Sequence, residues 1–159
     1  CMTGWRVGYA AGPSNIINAM NKVQSQNVSS TASISMAASV EALNGDQSFI
    51  SSNNESFLRR RNLVVKNLNE TPGLSCRTPE GAFYVFASCK GVLGKKTESG
   101  KILNTDGDFM DYLLEDVGVA GVQGSAFGLE GFFRISYATS DSILEDACQR
   151  IKNACSRLS

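Results

Sequence analysis

The chain of 159 residues has the length of one domain or two small lobes, and its content of 42% hydrophobic and 19% charged residues is typical of a globular protein. Fifteen basic and fifteen acidic side chains balance, so no overall charge attracts nucleic acid or an anionic membrane surface. No apolar run approaches the roughly 20 residues that span a bilayer, and no export signal is visible, so we expect a cytoplasmic protein.

The first predicted element is a strand at the beginning of the chain. Large apolar side chains alternate with small or charged ones from Trp5 to Ala11, and Gly12-Pro13 ends the alternation. Because chain termini are usually polar and frayed, we interpret this dense opening as the interior of a larger protein. The sequence is therefore expected to be a C-terminal fragment.

Three helices are predicted to follow this strand. Apolar residues at helical spacing predict the first over 14–26, with Ser14 as its N-cap. The second is rich in small residues and is expected to end at Asn44-Gly45. The third, over 46–68, contains three consecutive arginines that we interpret as a solvated or ion-paired helix face.

Beyond the third helix the pattern becomes mixed α and β. Three short, apolar, β-prone segments are predicted strands: 81–87, 117–122 and 132–138. Residues 91–107 are rich in Gly, Lys, Thr and Ser and predict a mobile loop. Asp106 or Asp108 is expected to cap a short helix after it, and Thr139 or Ser140 a last helix with an apolar stripe.

Two absences restrict the chemistry. The sequence contains no histidine, which removes Ser-His-Asp and Cys-His catalysis and the commonest metal ligand. None of its five cysteines forms a CxxC pair, so we predict no metal site and interpret the thiols as reduced. Catalysis would have to use Lys, Arg, Tyr, a carboxylate or a cofactor.

Two arginines have unusual surroundings in the sequence. Arg6 lies between Gly4 and Gly8, where its planar fork either meets a phosphate or carboxylate or pairs with a buried acid. Arg134 lies within an apolar strand and must be paired, because an unpaired buried charge is costly. Its partner is either an internal carboxylate or the carboxylate of a ligand, and the residues alone leave both alternatives open.

Three motifs, taken together, resemble a known family. MTGWRVGYAAGP at 2–13, EGAFYVF at 80–86 and FRISYATS at 133–140 are similar to class I aminotransferases, above all to the bacterial aspartate aminotransferase type. The resemblance implies an α/β fold of fold-type I. In that fold, residues 1–47 would be the C-terminal end of the large cofactor-binding domain. Residues 48–159 would be the small C-terminal domain, including the long interdomain helix.

The resemblance also implies a cofactor, pyridoxal 5'-phosphate, and a role for each matching residue. Arg6 matches the arginine that binds the cofactor phosphate, Arg134 the arginine that binds the substrate α-carboxylate, and Phe83 an aromatic wall near the substrate. The lysine that forms the Schiff base with the cofactor falls three residues before Cys1, so we expect no catalytic residue in this chain. We interpret Tyr137 as a packing residue.

The activity that the resemblance implies is transfer of an amino group between an amino acid and a 2-oxo acid, with aspartate and 2-oxoglutarate favoured. The full-length enzyme is expected to be a homodimer, and this fragment to be incomplete, prone to association and inactive alone. Other fold-type I enzymes remain alternatives: an aromatic, alanine or prephenate aminotransferase, or a β-lyase. A binding module of the same fold without catalytic activity is a further alternative.

Overall fold

A computed structural model of the chain describes residues 2–159 and divides it into two compact units. The first unit ends at Ile50, and the second runs from Ser51 to Ser159. Among the described residues, no helix is both long enough and apolar enough to cross a membrane.

The first unit consists of an irregular N-terminal segment and two helices, α1 (Ser14–Asn27) and α2 (Ser33–Asn44). Both predicted helices are confirmed. The predicted capping role of Ser14 is wrong, because Pro13 occupies the N-cap position and Ser14 is the first helical residue. Proline has no N–H to satisfy, and its fixed φ leads the chain into the helix without a side-chain cap.

The strand predicted at the beginning of the chain is not present. Thr3–Trp5 form a single 3-10 turn, Arg6 adopts a left-handed backbone with φ of 51°, and residues 7–13 form no regular element. A strand requires a hydrogen-bonded neighbour, and no strand within residues 2–159 pairs with this segment. The alternating pattern alone therefore does not produce the element.

The second unit is a four-stranded antiparallel sheet with helices. Its helices are α3 (Phe49–Asn69), which begins at the end of the first unit, α4 (Asp106–Glu115) and α5 (Asp141–Ser156). Its strands are β1 (Ser75–Cys76), β2 (Tyr84–Ser88), β3 (Val122–Gln123) and β4 (Phe132–Ser136). The strand order is β1-β2-β4-β3. The predicted α3 and α5 are confirmed. The predicted strand over 117–122 is wrong for 117–121, because β3 begins only at Val122 and continues to Gln123.

The two faces of this sheet differ in burial. Val85 and Ala87 of β2 and Phe133 of β4 are fully buried on one face, where they join the apolar stripes of the helices. The alternate positions of the same strands point to the other face and are half-buried. All buried hydrophobic side chains that the described chain contains lie in the second unit.

The cap predicted for α4 is corrected by the structure. Thr105 is the N-cap residue, and it forms a capping box in which Asp108 accepts from the Thr105 N–H while the Thr105 hydroxyl accepts from the Asp108 N–H. Asp106 is instead buried and faces the segment before β4. The predicted cap of α5, Ser140, is confirmed because its hydroxyl accepts from the Ile143 N–H.

Residues 91–107 form a more regular segment than the predicted loop. Lys96 and Ile102 pair in an antiparallel bridge, and Thr97 between them is buried. The backbone of Lys96 also exchanges two hydrogen bonds with Ser159. These bonds attach the segment to the end of the chain. They also give the N–H and C=O groups of Lys96 hydrogen-bond partners, which the amino-acid composition of the segment could not predict.

Candidate active site

Arg134 occupies the centre of the half-buried sheet face. In β4 it lies opposite Phe86 of β2 on one side and Val122 of β3 on the other. Its guanidinium carbon is 4.4 Å from the ring centre of Tyr84 and 4.4 Å from that of Phe127. The side chain is therefore held between two aromatic rings.

The guanidinium of Arg134 has no acidic partner in the described part of the chain, where no carboxylate oxygen lies within the 4.0 Å of an ion pair. Of the two partners that the sequence allowed for Arg134, an internal carboxylate is therefore not found among the described residues. Rings that lie against the faces of a guanidinium leave its N–H groups, which point outward in its plane, available. A planar fork of this kind matches a carboxylate in a bidentate pair.

Phe83 contacts one of the two rings that hold Arg134. Its ring centre is 4.4 Å from that of Tyr84, which itself contacts Arg134. The Phe83 carbonyl accepts a hydrogen bond of 2.9 Å from the Tyr137 N–H, and the Tyr137 hydroxyl donates to the Ala82 carbonyl, also at 2.9 Å. Tyr84 thus contacts both Arg134 and Phe83, and Phe83 also packs against the core of the second unit.

Tyr137 supports this segment from the core. It is buried, and burial raises the pKa of its phenol, although the charge of Arg61 opposes the shift. The phenol is therefore protonated at neutral pH and donates its hydrogen bond. Ala82, which receives it, has a left-handed backbone with φ of 60°, a conformation that costs a non-glycine residue on the order of 1–3 kcal/mol.

Arg6, in the first unit, has an exposed side chain. Its Nη1 donates to the Thr3 carbonyl at 3.1 Å, and no acidic side chain of the described residues pairs with it. The neighbouring Trp5 carbonyl accepts a 2.8 Å hydrogen bond from the Ser35 hydroxyl of α2, which fixes the turn before Arg6. A strained, non-glycine left-handed residue held by its surroundings is a reason to suspect a functional site.

The glycines that flank Arg6 border open space. A Cβ atom added at Gly4 or at Gly8 would meet no atom of the described chain within 4 Å. Within residues 2–159, no close contact requires a glycine at either position. Open backbone next to an arginine fits the approach of an anionic group from outside this segment.

A comparison with protein families decides the assignment. A family model described as aminotransferase class I and II matches residues 1–151. The chain belongs to this family. Enzymes of the family typically use pyridoxal phosphate.

Individual aminotransferases are similar over almost the whole chain. An aspartate aminotransferase of Rhizobium meliloti strain 1021 is 63% identical over 99% of this chain, and an aspartate/prephenate aminotransferase of Cereibacter sphaeroides is 52% identical over all of it. The crystal structure of the aspartate aminotransferase from Rhizobium meliloti matches with a TM-score of 0.86 at 63% identity, covering 99% of this chain and 40% of that one. The chain spans 38% and 40% of the lengths of the two relatives.

The residues present fit the phosphate end of the cofactor that the family uses. The Arg6 guanidinium, which has no carboxylate partner among residues 2–159, lies next to exposed glycine backbone, and this donor set is suited to phosphate. The three sequence motifs of this aminotransferase chain include Arg6, Arg134 and Phe83. They do not include Phe127, which the structure places against Arg134. Tyr84 could have been found from the strand period, which places it on the same face as Arg134. Phe127 had no such signal, because its position depends on the fold of a turn.

Proposed function

We propose that the full-length protein transfers an amino group between an amino acid and a 2-oxo acid with pyridoxal 5'-phosphate as cofactor, and that aspartate and 2-oxoglutarate are its favoured pair. The observation that carries this proposal is the guanidinium of Arg134, which lacks an acidic partner within the described chain and lies on an aromatic sheet face. The Rhizobium meliloti relative of 63% identity, named aspartate aminotransferase, supports the choice of substrate.

In this proposal Arg134 binds the α-carboxylate of the substrate through two parallel N–H···O bonds. A bidentate pair fixes both the position and the rotation of the carboxylate, and so it orients Cα. Phe83 lines the same site and excludes water from it, which strengthens the ion pair. Tyr137 maintains this wall through its hydrogen bonds to the backbone of Ala82 and Phe83.

Arg6 binds the cofactor phosphate. When bound, the cofactor would supply an electron sink for the chemistry at the amino-acid Cα. The lysine that moves this proton is expected three residues before Cys1, so the described residues bind and orient the ligands and do not transfer the proton. This division of roles explains why the chain can lack histidine.

We also propose the domain arrangement of the family for the full-length protein. Residues 1–47 complete the large cofactor-binding domain, residues 48–159 form the small domain, and two subunits form a homodimer in the cytoplasm. The separation into two compact units and the TM-score of 0.86 over 99% of the chain support this arrangement.

A second candidate activity is amino transfer to prephenate. The Cereibacter sphaeroides relative, 52% identical over the whole chain, carries the name aspartate/prephenate aminotransferase. Both activities require the same α-carboxylate site at Arg134. They differ in the acceptor side chain, so one protein can carry both.

The test is a panel of amino donors and acceptors with the purified full-length protein. We expect aspartate with 2-oxoglutarate to give the highest kcat/KM, and prephenate to serve as an acceptor if the second candidate is correct. If aspartate were the poorest donor, the substrate proposal would be wrong. If the protein bound the cofactor but transferred no amino group from any donor, a binding module would replace the enzyme. Sequencing the gene upstream of Cys1 provides an independent check, because the third preceding codon must encode lysine.

A further inference from the structure

We propose that Tyr84 and Phe127 form an aromatic clamp that holds the guanidinium of Arg134 in its carboxylate-binding orientation, and that buried Asp106 fixes the Phe127 side of the clamp. This inference rests on the proposed role of Arg134 and deepens it. It assigns positioning roles to three side chains.

The clamp restricts the arginine without using its hydrogen bonds. Tyr84 and Phe127 each lie 4.4 Å from the guanidinium carbon, well inside the roughly 6 Å range of a cation–π contact. A free arginine loses rotamer entropy when it binds a carboxylate, and this loss opposes binding. An arginine that is already held between two rings has lost part of that freedom before the ligand binds.

The two sides of the clamp are supported differently. Tyr84 belongs to β2, and its backbone is fixed by pairing with β4. Phe127 ends a short 3-10 turn, Gly124–Phe127, and its side chain is 49% exposed. Its ring meets Phe86 edge-on, with 6.0 Å between the ring centres. Because burial alone does not hold Phe127, its position depends on the turn that carries it.

Asp106 anchors that turn to the core. Its carboxylate is 2% exposed; Oδ2 accepts from the Ser125 N–H at 2.8 Å and Oδ1 from the Gly131 N–H at 3.4 Å. Burial pushes the pKa of Asp106 up, but the hydrogen bonds, those from Ser125 foremost, outweigh it and leave the pKa below its ordinary value. The carboxylate, while remaining ionised, thus links Ser125 of the turn and Gly131, the residue before β4, to the start of α4.

Close packing beneath the turn adds to this anchor. A Cβ atom at Gly124 would collide with the Leu129 carbonyl and with Phe132. The turn therefore has little room to shift toward the sheet. The bonds from Ser125 and Gly131 to Asp106 restrain it further.

The probe is maleate, a dicarboxylate that offers a carboxylate to Arg134. Its affinity is measured in the full-length holoenzyme with Phe127→Leu, Phe127→Tyr and a matched control, Phe132→Leu. Leucine keeps an apolar side chain and removes the ring, whereas tyrosine keeps the ring. We expect Phe127→Leu to weaken maleate by about five- to tenfold, and Phe127→Tyr and Phe132→Leu to remain within about twofold. Phe132 lies on the same face, where its ring stacks on Phe86 and not on Arg134. Leucine retains the Cβ and the carbonyl of Phe132 that pack against Gly124, so Phe132→Leu reports the general effect of losing a ring.

A double-mutant cycle separates positioning from a general structural effect. In an Arg134→Lys background, Phe127→Leu should weaken maleate by less than about twofold further, since the guanidinium that it positions is gone. Asp106→Asn, which keeps the shape but offers an amide to a backbone N–H, should weaken maleate in the same direction and add little to Phe127→Leu. The Phe127 variants keep the test decisive if Asp106→Asn fails to fold.

The possible failures are distinguishable. If Arg134→Lys leaves maleate affinity unchanged, the proposed carboxylate site itself is wrong. If Arg134→Lys weakens maleate but Phe127→Leu does not, or if Phe132→Leu weakens it equally, the clamp is overturned while the proposed function stands.

Discussion

At the scale of single residues, the two arginines that are candidates for binding ligands, one in each unit, differ in how the surrounding residues hold them. Arg134 is embedded in an antiparallel sheet between two rings, so its orientation is set by packing. Arg6 lies in an exposed left-handed turn, where its backbone is held by the hydrogen bond from Ser35 to Trp5. This difference agrees with separate ligands for the two side chains.

Substitution of each arginine in the full-length protein should affect one ligand. Arg134→Lys replaces a two-pronged donor with a point charge, and loss of the bidentate pair should cost on the order of 2–5 kcal/mol of carboxylate binding. Arg6→Ala should raise the pyridoxal phosphate concentration needed for activity and leave maleate affinity nearly unchanged at saturating cofactor. Titrations of both ligands at one salt concentration measure the two effects. A change under about 0.5 kcal/mol in maleate binding by Arg134→Lys would contradict the assignment of this residue.

Tyr137 provides a second test at this scale. Tyr137→Phe removes the hydroxyl that donates to the Ala82 carbonyl, and because Ala82 is exposed, water can replace the donor. We expect the free energy of unfolding to fall by about 0.5–1.5 kcal/mol, measured by urea denaturation of the full-length protein. The pH profile of kcat should keep both limbs, because the residue does not exchange protons. Loss of one limb would instead identify Tyr137 as an acid or base.

At the scale of elements, an ion-pair cluster connects α3 to the start of α5. Arg59 Nε and Arg60 Nε donate to the two oxygens of Asp141 at 2.7 Å and 2.8 Å, and Arg61 donates to the Pro79 carbonyl. The interpretation of the arginine run as an ion-paired helix face is therefore confirmed for Arg59 and Arg60. The two bonds bring segments 81 and 82 residues apart into a fixed register.

This cluster predicts a pH dependence of stability. The hydrogen bonds from Arg59 and Arg60 lower the pKa of Asp141 from 3.8 to about 2. A lowered folded-state pKa means that the stabilisation is complete above 3.8 and is lost as the pH falls toward 2. Asp141→Asn should therefore lower the urea midpoint at pH 7 and make progressively less difference below pH 4. An equal difference at pH 7 and pH 3 would show that the charge of Asp141 does not contribute.

At the scale of the whole molecule, apolar surface is distributed unevenly between the two units. The second unit contains all the buried hydrophobic side chains of the described residues. In the first unit large apolar side chains are exposed, with Tyr9 at 81% and Ile34 at 72%. Because the chain spans 38% of the length of its Rhizobium meliloti relative, further sequence is available in a protein of that length to cover this surface.

The two units should therefore behave differently when expressed separately. Residues 51–159 should give a cooperative thermal transition by circular dichroism, because they contain a complete sheet and its core. Residues 1–50 should show partial helicity without a cooperative transition, since isolated helices of this length are marginal in water. A sharp transition in residues 1–50, or a gradual one in residues 51–159, would contradict this expectation.

Local patterns were sufficient for much of the fold. Helices α1, α2, α3 and α5 and the strands β2 and β4 follow from the spacing of apolar residues, because side-chain periods of 3.6 and 2 are properties of the chain itself. The strand predicted from Trp5 to Ala11 failed for the opposite reason. A strand is completed by a neighbour, and none of the described residues supplies one to that segment.

The family, the order of the main elements and the two arginines could be identified from consecutive residues, because motifs and side-chain periods are local properties of the chain. The surroundings of those arginines depend on the packing of distant segments. The ring of Phe127 lies against the guanidinium of Arg134, and the Tyr137 hydroxyl donates a hydrogen bond to the Ala82 carbonyl, 55 residues away in the chain. Asp106 is not a helix cap; its buried carboxylate accepts a hydrogen bond from Ser125, 19 residues away. These contacts join segments that are distant in the chain, and their positions depend on how the sheet and helices pack, which no local pattern encodes.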